Sequence, residues 1–144
     1  MWEAKMPELE SDQRLEQLIT GNIKQDVLVI GSSRGARGIL AKELEAATGY
    51  SSYNLSYPGS DILFHEFLLK KCLEKTQAKM IVLVLDDPGA FYDYETINFR
   101  YDKLYPLIYY PEIREELVLR EKKIKYVVDW VVAYRIRESF PSSL

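Results

Sequence analysis

The sequence predicts an α/β fold, in which a parallel β-sheet lies between two layers of helices. The first observation is a set of three apolar segments with the composition of buried strands, at residues 27–31, 52–56 and 80–85. The second is the helical spacing of apolar residues between them, at residues 34–48 and 62–75. The third is that the connections are short, which favours right-handed crossovers and parallel strands. Together they predict a three-layer α/β/α domain.

Residues 1–23 are predicted to form an N-terminal helical leader, and residues 24–144 a single α/β domain. In the leader, Pro7 stands early in a short amphipathic segment that Gly21 ends. A chain of 144 residues suits one domain with one core. No internal repeat or low-complexity segment divides it.

Cap and turn residues mark the ends of the predicted elements. Gly49 is placed to end the helix at 34–48, and Asp61 to cap the helix at 62–75. Pro58-Gly59 ends the second strand. Because residues 80–85 are an unbroken apolar run, we expect them to be the most deeply buried strand.

The chain beyond the third strand has a different character. Residues 90–110, AFYDYETINFRYDKLYPLIYY, are irregular and too long for a simple connection, which is typical of a lid, a binding surface or an interface. Their tyrosines could stack on a sugar or an acyl group, or bury a flat face against a partner. Pro111 then begins a helix with acidic residues in its first turns.

A final amphipathic helix is predicted in the tail, with an apolar stripe of Ile124, Val127, Val128, Val131 and Val132. This stripe is wider than one helix needs to pack on a small sheet. We therefore expect a homodimer through residues 105–140. The alternative is a monomer in which this helix folds back over an open face of the sheet.

Composition excludes several classes of function. A formal net charge of −3 argues against a nucleic-acid partner, because binding the phosphate backbone requires a basic face. The single cysteine, Cys72, lies in an apolar run and reads as a small buried residue, so we expect no disulfide and no metal site. No window has the roughly 18 apolar residues of a membrane span. We also expect no cofactor.

Candidate site residues lie where the predicted strands end, because ligands of open α/β sheets bind at the carboxyl ends of the strands. Three segments meet there, and the residues that we expect to line a site are Ser32, Ser33, Arg34, Ser60, Asp86 and Asp87. Ser33 could act as a nucleophile, with its own backbone N–H free to stabilise an oxyanion. Asp86 and Asp87 could be an acid, a base or a hard-metal site, but adjacent carboxylates before Pro-Gly also form turns. Arg34 could bind an anion or simply be solvated.

A phosphate-binding turn is one alternative, since GSSRGARG resembles the cofactor turn of short-chain dehydrogenases. The glycine pattern departs at Arg37, where that family has a glycine, and Gly38 comes one residue late. The chain also has no Tyr-x-x-x-Lys, and Asn54-Leu55-Ser56 stands where an acidic residue or an arginine would recognise a ribose. A nucleotide-binding domain of Rossmann type is thus the weaker alternative.

The same turn resembles that of the SGNH, or GDSL-like, hydrolase superfamily, in the variants that open with Gly-Ser-Ser after the first strand. This resemblance makes Ser33 the nucleophile, and YNLSYPG, which is similar to the family's second block, makes the Gly59 N–H an oxyanion donor beside that of Ser33. It covers residues 26–110 and implies a flavodoxin-like strand order in a sheet that is incomplete at the C-terminus. The implied activity is that of a serine esterase or acyltransferase on ester-linked acyl groups, including those of cell-envelope carbohydrates.

Two blocks of the family pattern are missing. The third strand leads into Asp86-Asp87 rather than an asparagine, and no Asp-x-x-His supplies a base. His65, the one histidine, reads as a partly buried packing residue of the second crossover helix. We therefore expect weak or absent activity from a truncated or degenerate domain, or else a non-catalytic α/β interaction module.

The compartment follows only from the resemblance. The chain as written is expected to be soluble, and it would be associated with the cell envelope if its parent protein resembles the membrane-anchored bacterial members of the family.

Overall fold

Strand β1, Val27–Gly31, is the centre of the fold, and all five of its residues are buried. It pairs in parallel with β2, Ser52–Asn54, on one side and with β3, Met80–Val84, on the other. The order of the described sheet is therefore β2-β1-β3, as in the first three strands of a flavodoxin-like sheet. This confirms the predicted parallel α/β architecture, with three strands in the part of the chain that the structure describes.

The computed structural model describes residues 12–85, 97–121 and 126. They belong to two compact units, one containing the described residues from 12 to 100 and the other those from 101 onward. The predicted helix at residues 123–140 lies outside the described residues, apart from Tyr126, which is helical and exposed.

Helices cover both sides of the sheet. The chain passes from β1 to β2 through α2, Ser33–Gly38, and α3, Ala41–Thr48, and from β2 to β3 through α4, Ile62–Lys75. These two connections run in opposite directions along the sheet, so right-handed crossovers place α3 and α4 on opposite faces.

Helix α1, Gln13–Ile19, packs against α4. Asp12 caps its start by accepting a hydrogen bond from the Arg14 N–H, at 3.0 Å. Leu15 and Leu18 are fully buried, so the described part of the predicted leader contributes to the core of the unit that holds the sheet.

The predicted caps are in place. Gly49 ends α3 in the left-handed conformation, with φ at +74°. Asp61 caps α4 by accepting from the Phe64 N–H at 2.8 Å. Pro111 begins α6, Pro111–Arg120, at the predicted residue.

The single helix predicted at residues 34–48 is wrong, because the chain breaks between α2 and α3 at Ile39 and Leu40. The side chain of Asn54 on β2 donates to the carbonyls of Gly35 and Ile39, at 2.9 and 2.7 Å. The Gly35 carbonyl also accepts from the Ile39 N–H at 3.3 Å, and the Asn54 amide satisfies the Ile39 carbonyl where α2 ends. Leu40 is exposed rather than on a buried stripe.

Strand β2 is shorter than predicted, but its pairing continues beyond it. The N–H groups of Leu55 and Tyr57 donate to the carbonyls of Val29 and Gly31, at 2.7 and 2.9 Å. The segment expected as a strand to residue 56 therefore still hydrogen-bonds to β1.

Strand β3 is not the most deeply buried one, contrary to the prediction. Met80, Leu83 and Leu85 are 56%, 39% and 57% exposed. An unbroken apolar run indicates burial on both faces only for a central strand, and β3 lies at the edge of the described sheet. The buried strand is β1.

In the second unit, the predicted irregular stretch contains helical turns. Residues Tyr101–Leu104 form the short helix α5, and Tyr105–Leu107 form a 3₁₀ turn before α6. Leu104 and Leu107 from these turns are fully buried, as are Ile113 and Leu117 of α6. Among the helices that the structure describes, none combines the length and the apolar character that a membrane span requires.

Candidate active site at the carboxyl edge of the sheet

The Gly31-Ser32-Ser33 segment leaves the carboxyl end of the central strand. Ser32 is buried, and its carbonyl accepts from the Ala36 N–H at 3.0 Å. Ser33 begins α2 and is half-buried, and Arg34 is exposed. Within the described part of the chain, the Ser33 hydroxyl makes no hydrogen bond to another residue. It is therefore a half-accessible hydroxyl that is not held by the fold.

Two glycines of this turn are needed for close packing. A Cβ at Gly31 would lie 2.9 Å from the Cβ of Val84, and a Cβ at Gly35 would lie 2.6 Å from the Oγ of Ser56. Both distances are shorter than side chains tolerate. Gly31 thus permits the close pairing of the ends of β1 and β3, and Gly35 lets α2 approach the segment that follows β2. At Gly38 a Cβ would meet nothing within 4 Å. Close packing therefore explains Gly31 and Gly35, two of the glycines that suggested a phosphate-binding turn, but not Gly38.

The segment after β2 forms a tight turn at the same edge. The Ser60 N–H donates to the Tyr57 carbonyl at 3.2 Å, and Gly59 has φ at +75°. Proline followed by a positive-φ glycine is the signature of a type II turn. The Tyr57 N–H donates to the Gly31 carbonyl, so this turn lies beside the end of β1.

A strand-like contact holds the other side of the turn. The Asn98 N–H donates to the Gly59 carbonyl at 3.0 Å, and the Asp61 N–H donates to the Asn98 carbonyl at 3.1 Å. Ser60 and Asn98 are paired in parallel. The Arg100 guanidinium also donates to the Pro58 carbonyl. The residues around Gly59 are thus fixed on both sides.

The one histidine of the chain contacts Ser60. The Ser60 Oγ lies 2.8 Å from the His65 Nε2, and both side chains are buried, at 0% and 2% exposure. His65 is therefore a buried residue with a specific hydrogen-bond partner, where only packing was predicted. A serine that comes five residues before a histidine carries no local motif from which this pair could have been found.

Arg14 of α1 is a further residue of this edge that the sequence did not indicate. Its Nη1 donates to the carbonyls of Asn54 and Ser56, both at 3.3 Å, and its guanidinium lies 4.5 Å from the centre of the Tyr57 ring. Burial raises the pKa of the Tyr57 hydroxyl well above its usual range. No pattern links Arg14 to partners about forty residues away, so only the fold reveals this role.

Asn54 does not stand free to recognise a ligand. Besides donating to α2, it accepts a hydrogen bond at Oδ1 from the Ser56 N–H, at 2.8 Å. Its amide is thus committed to backbone groups at the position where a dinucleotide-binding domain would recognise a ribose.

The structure brings Ser32 and Ser33 to the same edge of the sheet as Gly59 and Ser60, through the bond from Tyr57 to Gly31. The candidate residues Asp86 and Asp87 lie outside the described residues. In the described ranges, no group of three or more His, Cys, Asp or Glu side chains is placed to hold a metal ion.

Comparison of the chain with protein-family models, with curated proteins and with solved structures found no match.

Proposed function

We propose that the unit containing the sheet is an SGNH-like serine esterase or acyltransferase domain with Ser33 as its nucleophile. Its substrates are ester-linked acyl groups, including those of cell-envelope carbohydrates. The observation that supports this most is the position of Ser33, which follows the carboxyl end of the central strand, where the Gly31 carbonyl accepts from the Tyr57 N–H of the turn that carries Gly59. Ligands of open parallel sheets bind at this edge.

In the proposed reaction, the Ser33 Oγ forms a bond to the acyl carbon while the ester C–O bond breaks. The leaving alcohol takes up the proton that the serine loses. Water or an acceptor hydroxyl then attacks the acyl-serine, releases the acyl group and returns a proton to Ser33. The N–H groups of Ser33 and Gly59 are the proposed donors to the oxyanion that forms in each step.

We expect this activity to be slow in the chain alone. A serine without an adjacent base is almost fully protonated and weakly nucleophilic. The one histidine hydrogen-bonds to Ser60 rather than to Ser33. The acceleration that remains would come from the oxyanion donors and from substrate binding.

The test compares wild type with Ser33→Ala in the hydrolysis of an aryl acetate and in labelling by a fluorophosphonate. Ser52→Ala is a matched control, because that serine lies at the opposite end of β2 and donates to the Tyr50 carbonyl. We expect label on the peptide that contains Ser33, and loss of label and of hydrolysis only in Ser33→Ala. Equal rates in wild type and Ser33→Ala would remove Ser33 from the mechanism.

The second candidate is a non-catalytic binding or interaction module built on the same scaffold. The observation that favours it is the burial of His65 with Ser60, which leaves no imidazole among the described residues to activate Ser33. It predicts that the folded wild-type chain is neither labelled nor active. Among the described residues at the carboxyl edge, no contact favours a nucleotide-binding function.

Self-association through residues 105–140 is proposed as well. In the described part of this range, Tyr105, Tyr109 and Leu119 are exposed apolar residues, and Leu119 is 78% exposed. Sedimentation at micromolar concentration should give a dimer that dissociates in Leu119→Glu. The control, Leu73→Glu, changes a leucine that is 69% exposed on α4 and should leave the dimer intact. A monomer mass for wild type would end this proposal.

A further inference from the structure

The Ser60 hydroxyl is surrounded by three polar atoms. Its Oγ lies 2.6 Å from the Tyr57 carbonyl oxygen, 3.4 Å from the Gly31 carbonyl oxygen and 2.8 Å from the His65 Nε2. It is fully buried. The direction of each hydrogen bond therefore determines whether the His65 imidazole donates a proton to the Ser60 Oγ or accepts one from it.

The protons can be assigned from the chemistry of these groups. A carbonyl oxygen can only accept, and a serine hydroxyl has one proton to donate. The short contact with the Tyr57 carbonyl requires that proton, so the Ser60 Oγ must accept from His65. The Nε2 of His65 then carries a hydrogen, and it has no lone pair with which to take a proton from Ser60.

We infer that His65 is a hydrogen-bond donor and a positioning residue, which holds the turn at residues 57–60 and thereby the Gly59 N–H that the proposed function uses. The inference about Gly59 rests on that function, whereas the direction of the hydrogen bond does not. A Ser60–His65 nucleophile and base pair is excluded by the same proton assignment and by the burial of Ser60.

The neighbouring contacts make His65 suitable for this role. It lies in the first turn of α4, which is capped by Asp61. The backbone N–H of His65 donates to the Asp61 carbonyl at 3.1 Å. One residue earlier, the ring of Phe64 packs edge-on against Tyr57, with ring centres 5.4 Å apart. The start of α4 thus contacts both ends of the turn: Phe64 packs against Tyr57, and the His65 imidazole hydrogen-bonds to Ser60.

The same network reaches the nucleophile's strand. The Gly31 carbonyl accepts from the Tyr57 N–H and lies within 3.4 Å of the Ser60 Oγ. Gly31 precedes Ser33 by two residues. A shift of Ser60 would therefore change the distance between the Gly59 N–H and the Ser33 hydroxyl, and displacements of about 1 Å in such geometry can reduce rates about a hundredfold.

The first test is nitrogen NMR of the full chain, in which the only imidazole signals come from His65. We expect a protonated, pyrrole-type Nε2 whose proton exchanges slowly, and a change of that signal in Ser60→Ala. An unprotonated, pyridine-type Nε2 at neutral pH would overturn the assignment of the donor, and with it the inference.

The second test measures the rate of fluorophosphonate labelling at Ser33 in His65→Gln and His65→Leu. Glutamine retains an N–H donor and leucine does not, so we expect labelling to fall about tenfold or more in His65→Leu and to recover largely in His65→Gln. The backbone amide signal of Gly59 should move in His65→Leu and return toward its wild-type position in His65→Gln. If His65→Leu does not fold, Ser60→Ala takes its place, since it removes the acceptor of the same bond.

The outcomes separate this inference from the proposed function. Labelling of His65→Leu at the wild-type rate, with an unchanged Gly59 amide, would refute positioning while the role of Ser33 stands. No labelling of wild type would refute the proposed function, and the amide shifts of Gly59 would then decide positioning alone. Equal losses in His65→Gln and His65→Leu would show that the ring's packing matters and its donor does not.

Discussion

The thiol of Cys72 is fully buried on α4, and burial raises its pKa to about 12. Since the thiolate is the reactive form, the native chain should hold far less of it at pH 8 than an unfolded chain does. We expect a thiol-specific disulfide reagent to react with the native chain on the order of a hundredfold more slowly than with the chain in denaturant. Comparable rates would mean that the site around Cys72 opens readily.

Asp26 makes an ion pair with Lys79 at 2.9 Å and accepts from the Ser51 hydroxyl at 3.2 Å. The hydrogen bond from Lys79 is the main reason why the pKa of the Asp26 carboxyl lies below its usual value. A lowered folded-state pKa stabilises the fold above the unfolded value of about 3.9, and this contribution is lost as the pH falls through the folded pKa.

Wild type should therefore exceed Asp26→Asn in stability at neutral pH, and the difference should shrink below about pH 4. Denaturant unfolding at several pH values measures this. Glu45→Gln is the control, because Glu45 is exposed on α3 and the structure describes no ion pair for it. A difference that is independent of pH would contradict the assigned cause.

At the scale of residues, the sequence could predict roles that depend on local neighbours, but not roles that depend on long-range contacts. Gly49 and Asp61 act through neighbours within one helical turn, so their caps follow from the sequence. Arg14 acts on backbone atoms about forty residues away, and the Ser60–His65 bond depends on how a turn meets a helix. Neither leaves a local pattern. The roles of Ser33 and Gly59 stay predictions.

At the scale of elements, the contact of α2 with the segment that follows β2 depends on a glycine. Gly35→Ala would place a Cβ 2.6 Å from the Ser56 Oγ and 3.2 Å from its Cβ, so the helix or that segment must move. We expect a loss of about 1–3 kcal/mol, as in other overpacked sites. Gly38→Ala is the matched control in the same helix, where open space and the helix propensity of alanine predict no loss.

Chemical denaturation of both variants provides the measurement. Equal stability of Gly35→Ala and Gly38→Ala would show that α2 does not pack as closely as described.

The break between α2 and α3 could not be predicted from the sequence, because it also depends on contacts between elements. The apolar spacing of Ile39, Leu40 and Leu44 continues through it, and the bonds that end α2 come from Asn54, on another element.

At the scale of the molecule, the alternation of strands and helices was enough to predict a parallel sheet, because crossover handedness restricts the arrangements. The depth of each strand was not predictable in the same way. The apolar runs of β1 and β3 are alike in composition, and only the strand order places one at the centre and the other at the edge.

Because β3 is an outer strand of the described sheet and has exposed apolar side chains, we expect it to be prone to association with other chains. Leu83→Lys should lower aggregation at high protein concentration without loss of the fold, measured by light scattering and circular dichroism. Leu73→Lys is the control, because Leu73 is more exposed but lies on a helix. An equal effect of the two changes would mean that surface charge, and not the strand edge, controls association.

The register of β1 also sets an order of assembly. Val27 pairs with Ser52 on one side and with Met80 on the other, which is roughly twice as far along the chain. Closing the longer loop costs about 0.6 kcal/mol more in chain entropy. We expect β2 to dock before β3, so that in pulse-labelled hydrogen exchange the Leu55 amide, which bonds to Val29, is protected earlier than the amides of β3. Until β3 pairs with β1, one side of β1 remains free to associate with other chains. A high protein concentration during refolding should therefore lower the fraction of chains that reach the native state, whereas the same concentration should have less effect on chains that are already folded.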